Sequence, residues 1–324
     1  MTFKFIRIAG AAVLAGLTMT TAVLADVYPS RPVRLLVPFA AGGTADAFAR
    51  SFAPHISAAL GQNVVVENMA GAGGAVGAAY LSRQDPDGYT VMLATPGTQI
   101  TNPLLQKSLP YNPDTDFSIL AAVLEAPNAL VVPATSEATT VEELIEMARK
   151  DPGGVMYSSA GIGATSHLSG ALFGIMAGVE IEHVPYQGSG EAMPDLVAGR
   201  IDFTIDSLAT VLPFVRSGEM RALAVTTLEE HPLLPGVRPL AETLPGYRSS
   251  AINYIVAPAG VPAEVSDLWS VKTTGVMEAG VLPKRMEEMG ITPWSVSLEE
   301  LNSRISEEKE KWAGVIRAVG IEPK

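Results

Sequence analysis

Residues Pro38 to Asp46 read PFAAGGTAD, and they join a short apolar strand to the start of a helix. A second stretch, SSAGIGATSH from Ser158 to His167, has the same character. In both stretches small residues leave backbone N–H groups uncovered at a helix start, where the helix dipole is positive. Such a terminus can hold an anion. These two stretches, here called the first and the second cradle, predict two lobes that grip the two ends of one small acid.

The cradles supply most of the candidate ligand contacts. Glycine at 42 and 43 lets the backbone approach a ligand closely, because a side chain there would occupy the place of the carboxylate. Hydroxyl groups in both cradles can add donors. The alternative is that these residues are ordinary turn glycines and helix caps. The candidates are Phe39, Ala40, Gly42, Gly43, Thr44 and Asp46 in the first cradle, and Ser158, Ser159, Gly161, Gly163, Ala164 and Thr165 in the second.

Asp46 allows two interpretations. A carboxylate near a helix start caps free N–H groups and is stabilised by the helix dipole. It can also bind a ligand amine or a bridging water.

Further candidates follow buried strands elsewhere in the chain. Thr95 and Pro96 come after the strand from Tyr89 to Ala94, at the end where open sheets place ligands. Tyr186 and Ser207 hold the equivalent position in the second half of the chain. For these two residues, packing in the core or at the rim is the alternative.

The first 25 residues are typical of a secretory signal peptide. Lys4 and Arg7 precede an apolar run from Ile8 to Leu17, and small residues continue up to Ala25. The run is short for a membrane span and is interrupted by glycine. We therefore expect cleavage ahead of Asp26 and a mature chain in the periplasm.

Composition excludes several classes of function. The chain of 324 residues has no cysteine, which rules out disulfides, thiolate metal sites and a cysteine nucleophile. Its formal net charge is −12, and loss of the leader makes it two units more negative. Such a surface does not favour nucleic acid or anionic membranes. It still allows an anionic ligand, because backbone dipoles in a cleft act locally.

Strand and helix patterns alternate along the mature chain. Val33 to Val37 reads as a strand, and a helix through Phe48 follows, which we expect Pro54 to kink or shorten. Such alternation predicts parallel sheets with helices on both faces. A similar succession begins again near Ala126, and a strand from Ile252 to Val256 returns to the first unit.

This order predicts an α/β protein of two lobes, each with a doubly wound sheet, joined by a two-crossing hinge. The expected first lobe comprises residues 26–126 and 231–324, and the second comprises residues 127–230. A mature chain of about 300 residues exceeds one typical core, in agreement with two domains.

Several motifs taken together resemble one known family, the solute receptors of tripartite tricarboxylate transporters, also called Bug receptors. The resemblance runs over essentially the whole mature chain, and the combination is more specific than any single motif. The motifs are YPSRPVR at 28–34, PFAAGG at 38–43, VVVEN at 64–68 with GAGG at 71–74, PDGYT at 86–90, HVPYQG at 183–188 and APAG at 257–260.

The resemblance implies a type II periplasmic binding protein, or Venus flytrap. It implies a non-catalytic receptor that captures a small mono-, di- or tricarboxylate or an acidic amino acid and delivers it to membrane permease subunits. The family pattern places ligand contacts in the same two cradles. We expect a monomer with no cofactor and no metal. The chain departs from the family pattern at Ala41, at Met69 and Ala70, and at Ile252, and we expect these departures to affect the choice of ligand more than the fold.

Two alternatives remain at this point. A sensor receptor that feeds a signalling partner has the same sequence features as a transport receptor. An NAD-dependent enzyme is suggested by the glycines between Gly71 and Gly77, but their spacing is not G-x-G-x-x-G. The serines at 158 and 159 lack the G-x-S-x-G pattern of a hydrolase. We expect His167 and His183 to be structural, because the histidines show no paired metal spacing.

Overall fold

The computed structural model describes residues 28–42, 44–186, 188–318 and 320–323. The predicted signal peptide, the candidate Gly43 and the neighbouring Gln187 lie outside these residues. No helix in the described ranges is long and apolar enough to cross a membrane.

The described chain alternates strands and helices over most of its length. The strands are β1 (Val33–Val37), β2 (Val64–Asn68), β3 (Thr90–Ala94), β4 (Phe117–Pro133), β5 (Met156–Ser159), β6 (Glu182–Pro185), β7 (Phe203–Ser207), β8 (Met220–Val225), β9 (Ser250–Pro258) and β10 (Thr292–Pro293). The helices are α1 (Thr44–Leu60), α2 (Ala75–Leu81), α3 (Asn102–Leu105), α4 (Val141–Lys150), α5 (Thr165–Ala177), α6 (Ser189–Val197), α7 (Leu208–Arg216), α8 (Ala263–Glu278), α9 (Leu282–Glu288) and α10 (Leu298–Ala318).

Two sheets share the long strand β4. The first sheet has the order β2-β1-β3-β9-β4, and the second continues as β4-β7-β5-β6, with β8 and β10 also paired to β4. Strands β1, β2 and β3 are parallel, as are β5, β6 and β7. Strand β9 is antiparallel to β3 and β4, and β4 is antiparallel to β7. The predicted parallel strands are therefore present in both sheets, and the two strands that link the sheets, β4 and β9, run antiparallel to their neighbours.

The hinge is built from β4 and from the return segment 226–249. The predicted boundary at residues 126 and 127 falls inside β4, which is continuous from one sheet to the other. The division of the chain into lobes stays a prediction. At the crossing, the Thr226 hydroxyl accepts from the backbone N–H of Asn128 at 3.0 Å, and the Thr226 N–H donates to the Asn128 carbonyl at 3.0 Å. The two crossing segments are thus tied side by side.

The C-terminal helix α10 packs on both sheets. Leu301 and Ile305 join the core beside β9, whereas Trp312 and Ile316 pack with the core of the second sheet. Because α10 spans the two cores, it adds a third connection to the two chain crossings.

Local signals explain the helix boundaries. Helix α1 ends before Gly61, which has a φ of +73°. Pro54 does not end α1, contrary to the expectation that it could shorten the helix. Thr140 caps the start of helix α4, since its hydroxyl accepts from the N–H of Glu143 at 3.2 Å. The start of α10 is capped in the same way, because the Ser297 hydroxyl accepts from the N–H of Glu300 at 3.1 Å.

Candidate ligand-binding site between the two lobes

A cavity of about 850 Å³ lies where the carboxyl ends of the parallel strands of both sheets face each other. Loops after β1 and β3 line it from one side, and loops after β5, β6 and β7 line it from the other. Strands β4 and β9 form its base. Open α/β sheets bind ligands at this end of their strands. The cavity is therefore the candidate ligand site.

Part of the first cradle faces this cavity. Phe39 and Thr44 line it, and Thr44 is the first residue of α1. Ala40 and Gly42 do not line the cavity. The geometry therefore offers the N-terminus of α1, and not the whole glycine turn, to a ligand.

Asp46 lies beneath the first cradle and does not line the cavity. Its side chain is 4% exposed and accepts from the N–H of Gly42 at 2.9 Å. It also accepts from the Asn68 amide and from the Arg50 guanidinium, both at 3.0 Å. The hydrogen bond from Arg50 is the main reason why the pKa of Asp46 is lowered. These contacts favour a role in holding the turn over direct binding of a ligand.

The loop after β3 meets the glycine-rich loop after β2. Thr95 and Pro96, which the sequence predicts as ligand contacts, line the cavity. A Cβ on Gly97 would come within 3.2 Å of the carbonyl oxygen of Gly73. The Asn102 amide donates to that same oxygen at 3.0 Å. The glycines that suggested a dinucleotide loop therefore serve close packing between two loops at the cavity wall.

The second cradle places its helix start at the cavity and its serines behind it. Gly161, Gly163, Ala164 and Thr165 line the cavity, and α5 begins at Thr165. Ser158 and Ser159 are fully buried and do not line it. The Ser159 hydroxyl instead accepts from the N–H of Gly161 at 3.1 Å.

Several N–H groups of the second cradle are already engaged. The Ala160 N–H donates to the Ser166 hydroxyl, and the Gly161 N–H donates to the Ser159 hydroxyl. The Gly163 N–H donates to His167 Nδ1, and the Ala164 N–H donates to the Gly161 carbonyl. The N–H groups of Thr165 and Ser166 stand in the first turn of α5, where no carbonyl one turn back can accept them. These two groups are therefore available to a ligand in the cavity.

Asp206 connects three helix starts on the second-lobe side. One of its oxygens accepts from the Ser189 hydroxyl at 2.6 Å, and the other accepts from the Ser207 N–H at 2.7 Å. Ser189 begins α6, Ser207 precedes α7, and a hydrogen bond with Ser166 reaches α5. Burial raises the pKa of Asp206. The carboxyl group fixes the positions of the three helix N-termini around the cavity.

Tyr186 and Ser207 also line the cavity. The Tyr186 hydroxyl donates to Asp195 at 2.6 Å, so its ring is held by α6. Burial raises the pKa of Tyr186 to about 12, and the hydroxyl stays neutral. The Ser207 hydroxyl has no hydrogen-bond partner among the described residues.

Among the described residues that line the cavity, none carries a positive charge. An anion bound here must replace its hydration with backbone N–H groups, hydroxyls, amides and helix dipoles. No group of three His, Asp or Glu side chains that could hold a metal ion occurs in the part of the chain that the structure describes.

The structure adds polar residues that sequence reasoning missed. Asn102, Asn128 and Asn253 line the cavity and are at most 7% exposed. For Asn128 and Asn253 the available signal was alternation along β4 and β9, which places every second residue on one face. Ile252, named as a departure near the cleft, is fully buried in the core beside α2 and does not line the cavity. Ala41, Met69 and Ala70 do not line it either.

The fold and this cleft define a two-lobed solute-binding protein. A family model described as "Tripartite tricarboxylate transporter family receptor" matches residues 48–321, and the chain belongs to this family. A relative from Pseudomonas sp. (strain P51), the UPF0065 protein in the tcbD-tcbE intergenic region, is 35% identical over 311 residues, which cover 95% of this chain and 92% of the relative.

Three solved structures are similar over nearly the whole chain. R. palustris Rpa4515 with adipate has a TM-score of 0.83 and 36% identity, and the match covers 92% of this chain and 100% of that one. The periplasmic binding protein BugD has a TM-score of 0.78 and 32% identity, with 92% and 100% covered. MatC from Rhodopseudomonas palustris with bound malate has a TM-score of 0.76 and 28% identity, with 89% and 100% covered.

These comparisons confirm the predicted family and the two-lobed α/β class of periplasmic binding proteins. The family and its structural neighbours are solute-binding receptors, which confirms the expectation of a receptor and not an enzyme. The homologues are periplasmic binding proteins, whereas the signal peptide of this chain stays a prediction.

Proposed function

We propose that this protein captures a small carboxylate in the cleft between its lobes and delivers it to the permease of a tripartite tricarboxylate transporter. The observation that carries the proposal is the pairing of two helix N-termini, at Thr44 and Thr165, on opposite walls of one cavity. Each terminus favours negative charge. The neighbours solved with adipate and with malate support an acid as the ligand.

In this proposal each carboxylate of the ligand lies at one of the two helix N-termini. On the second-lobe side, the N–H groups of Thr165 and Ser166 donate to the carboxylate. On the first-lobe side, Thr44 and Thr95 supply hydroxyl donors, and waters bridge the remaining oxygens. Gly43 stays a predicted contact, and a Gly43→Val variant with unchanged affinity would show that the first cradle does not bind the ligand.

The ligand is then enclosed by rotation of the lobes about β4 and segment 226–249. Ligand capture by domain closure around a cleft is a general behaviour of two-lobed binding proteins. Gly163 and Leu105 face each other across the cleft, since a Cβ on Gly163 would lie 2.2 Å from Leu105 Cδ1. The two walls are therefore already close at this point.

A thermal-shift panel on the mature protein tests the ligand class. The panel contains C3 to C9 dicarboxylates, tricarboxylates, acidic amino acids, aromatic acids and NAD. A ligand at 100 times its dissociation constant adds about 2.7 kcal/mol to the free energy of unfolding, which raises Tm by several degrees. A shift with one class of acid supports the proposal. A shift with NAD alone would overturn it.

Delivery to a permease is tested in cells that lack this protein. We expect uptake of the labelled acid to fall and to recover when the wild-type protein is restored. If uptake stays normal while a transcriptional response to the acid is lost, the protein is instead a sensor that feeds a signalling partner.

A further inference from the structure

The base of the cleft is a small patch of β4 and β9, here called the floor. Strands β4 and β9 pair antiparallel, with Leu124 opposite Asn253 and Ala126 opposite Ala251. All four residues line the cavity. The floor therefore presents three apolar side chains and one amide to whatever lies between the two cradles.

The Asn253 amide is buried and open to the cavity. Asn253 is 6% exposed and lines the cavity, and no hydrogen bond joins its side chain to another described residue. Its amide atoms are not among the fully enclosed unpaired atoms, so they are reached from the cavity. The other two amides at the cavity differ in this respect. The Asn128 amide nitrogen lies 3.3 Å from the Ser249 carbonyl oxygen, and that of Asn102 lies 3.0 Å from the Gly73 carbonyl oxygen. Asn253 is thus an amide for which the protein itself provides no partner in the described ranges.

An unpaired buried amide is costly unless a ligand or water completes its hydrogen bonds. The position of Asn253 indicates which part of the ligand does so. Tyr254 pairs with Ala94, which puts Asn253 next to Thr95 at the first-lobe side of the floor. The carboxylates are assigned to the helix starts at Thr44 and Thr165, with Thr95 on the first-lobe side. Asn253 therefore lies below the part of the carbon chain next to the first-lobe carboxylate.

From this arrangement we propose that Asn253 binds a hydroxyl group on the carbon chain of the ligand and makes the receptor selective for hydroxy-substituted diacids. The inference rests on the proposed function of the same cleft. A hydroxyl accepts from the amide Nδ2 and donates to Oδ1, and so satisfies both ends of the side chain. An ammonium group offers no acceptor to Nδ2, a keto group offers no donor to Oδ1, and a methylene pairs with neither. Leu124, Ala126 and Ala251 fit the methylene and methine groups beside the hydroxyl.

Matched pairs of acids test the inference on the mature full chain. Titration calorimetry compares unsubstituted, hydroxy- and amino-substituted diacids of the same carbon number, from four to six carbons. We expect the best hydroxy acid to bind at least about tenfold tighter than its unsubstituted partner, because a site built for a hydroxyl rejects an analogue without one. In Asn253→Leu and Asn253→Ala this ratio falls to about one, mainly through weaker binding of the hydroxy acid.

Asn302→Leu is the matched control, because Asn302 lies exposed on α10, away from the cavity, and its amide donates to the Leu298 carbonyl. It keeps the wild-type ratio. Three results would overturn the role of Asn253 while leaving the proposed function intact. They are equal affinity of the wild-type protein for hydroxy and unsubstituted acids, a preference for the amino-substituted acid, and an unchanged affinity ratio in a folded Asn253 variant. If no acid binds to the wild-type protein, the proposed function fails and this inference fails with it.

Discussion

The imidazole rings of His167 and His183 stack with their centroids 3.9 Å apart and their planes 17° from parallel. His167 Nδ1 accepts from the N–H of Gly163 at 3.0 Å. His183 Nε2 lies 2.7 Å from the Ser159 hydroxyl, which in turn accepts from the N–H of Gly161. The stacked pair therefore holds the second cradle through hydrogen bonds, directly at Gly163 and through the Ser159 hydroxyl at Gly161.

The histidine pair predicts that the protein loses stability in acid. Burial lowers the pKa of both His167 and His183 to about 4. In the unfolded chain a histidine has a pKa of about 6.5, so below this pH the unfolded state binds more protons than the folded state. The contribution of the two histidines to the free energy of unfolding is fully present above about pH 6.5 and is lost as the pH falls from 6.5 to 4. The part that comes from His167 is at most about 3 kcal/mol. Tm measured across this range checks the prediction.

His167→Asn separates titration from support of the loop. The Asn oxygen stands near the position of Nδ1 and can still accept from Gly163, but it does not titrate. We expect this variant to keep ligand affinity at pH 7.5 and to lose less stability than the wild-type protein between pH 6.5 and 4. Asp206, whose pKa is raised, stabilises the folded state as the pH falls, which is opposite to the effect of the histidines. Because Asp206 is present in both proteins, it does not change the difference between their pH profiles. An identical pH profile in the two proteins would show that His167 is not the titrating group.

Removal of the Asp206 carboxyl should loosen the second-lobe wall of the cleft. Asp206→Ala leaves the Ser189 hydroxyl and the Ser207 N–H without their acceptor, at a cost of about 1–3 kcal/mol of unfolding free energy. Asp206→Asn restores most of this, because its oxygen accepts from Ser207 while its nitrogen donates to Ser189. Urea denaturation compares the three proteins. Equal destabilisation by Ala and Asn would contradict the connecting role.

A side chain at Gly163 should weaken ligand binding. Gly163 has a φ of +82°, and an added Cβ would meet Leu105 across the cleft. Gly163→Ala should lower the unfolding free energy by about 1–2 kcal/mol through backbone strain. It should also reduce affinity for the acid. Gly178→Ala is the matched control, because Gly178 has a φ of +62° at the end of α5 with open space around it. Equal affinities in the two variants would argue against a role for Gly163 at the cleft.

Adjacent residues of β9 should separate stability from affinity. Ile252 is buried in the core, so Ile252→Ala should cost about 2–5 kcal/mol and leave the affinity of the folded protein unchanged. Ala251 faces the cleft, so Ala251→Leu should fill the floor and weaken binding at least about tenfold, or about 1.4 kcal/mol. Denaturation and calorimetry on both variants check the pair. The reverse pattern would mean that the face of β9 is assigned wrongly.

The sequence predicted the local features of this fold better than its long-range ones. Strand β1 and the helix through Phe48 follow from short-range patterns, and the structure has both. The antiparallel course of β4 and β9 could not be predicted, because it depends on which distant segments pair. The same limit explains why Asn128 and Asn253 were missed, since each is an isolated polar residue in an apolar strand.

The two cradles illustrate the same limit within one motif. Thr44 and Thr165 stand at helix starts and line the cavity, whereas their contact with a ligand stays a prediction. Asp46, Ser158 and Ser159 are as close in sequence but point into the protein. Only the packing of each loop on its own lobe decides which side chains reach the cleft.

Calorimetry of one diacid against its diamide tests the central claim most directly. The acid is the best ligand of the thermal-shift panel, and its diamide has nearly the same size and shape but no negative charge. If the helix N-termini at Thr44 and Thr165 bind carboxylates, the diacid binds and the diamide binds at least about a hundredfold more weakly, or about 2.7 kcal/mol. Equal affinity for the two compounds would contradict the account, because the cleft would then recognise shape and not the carboxylate charge.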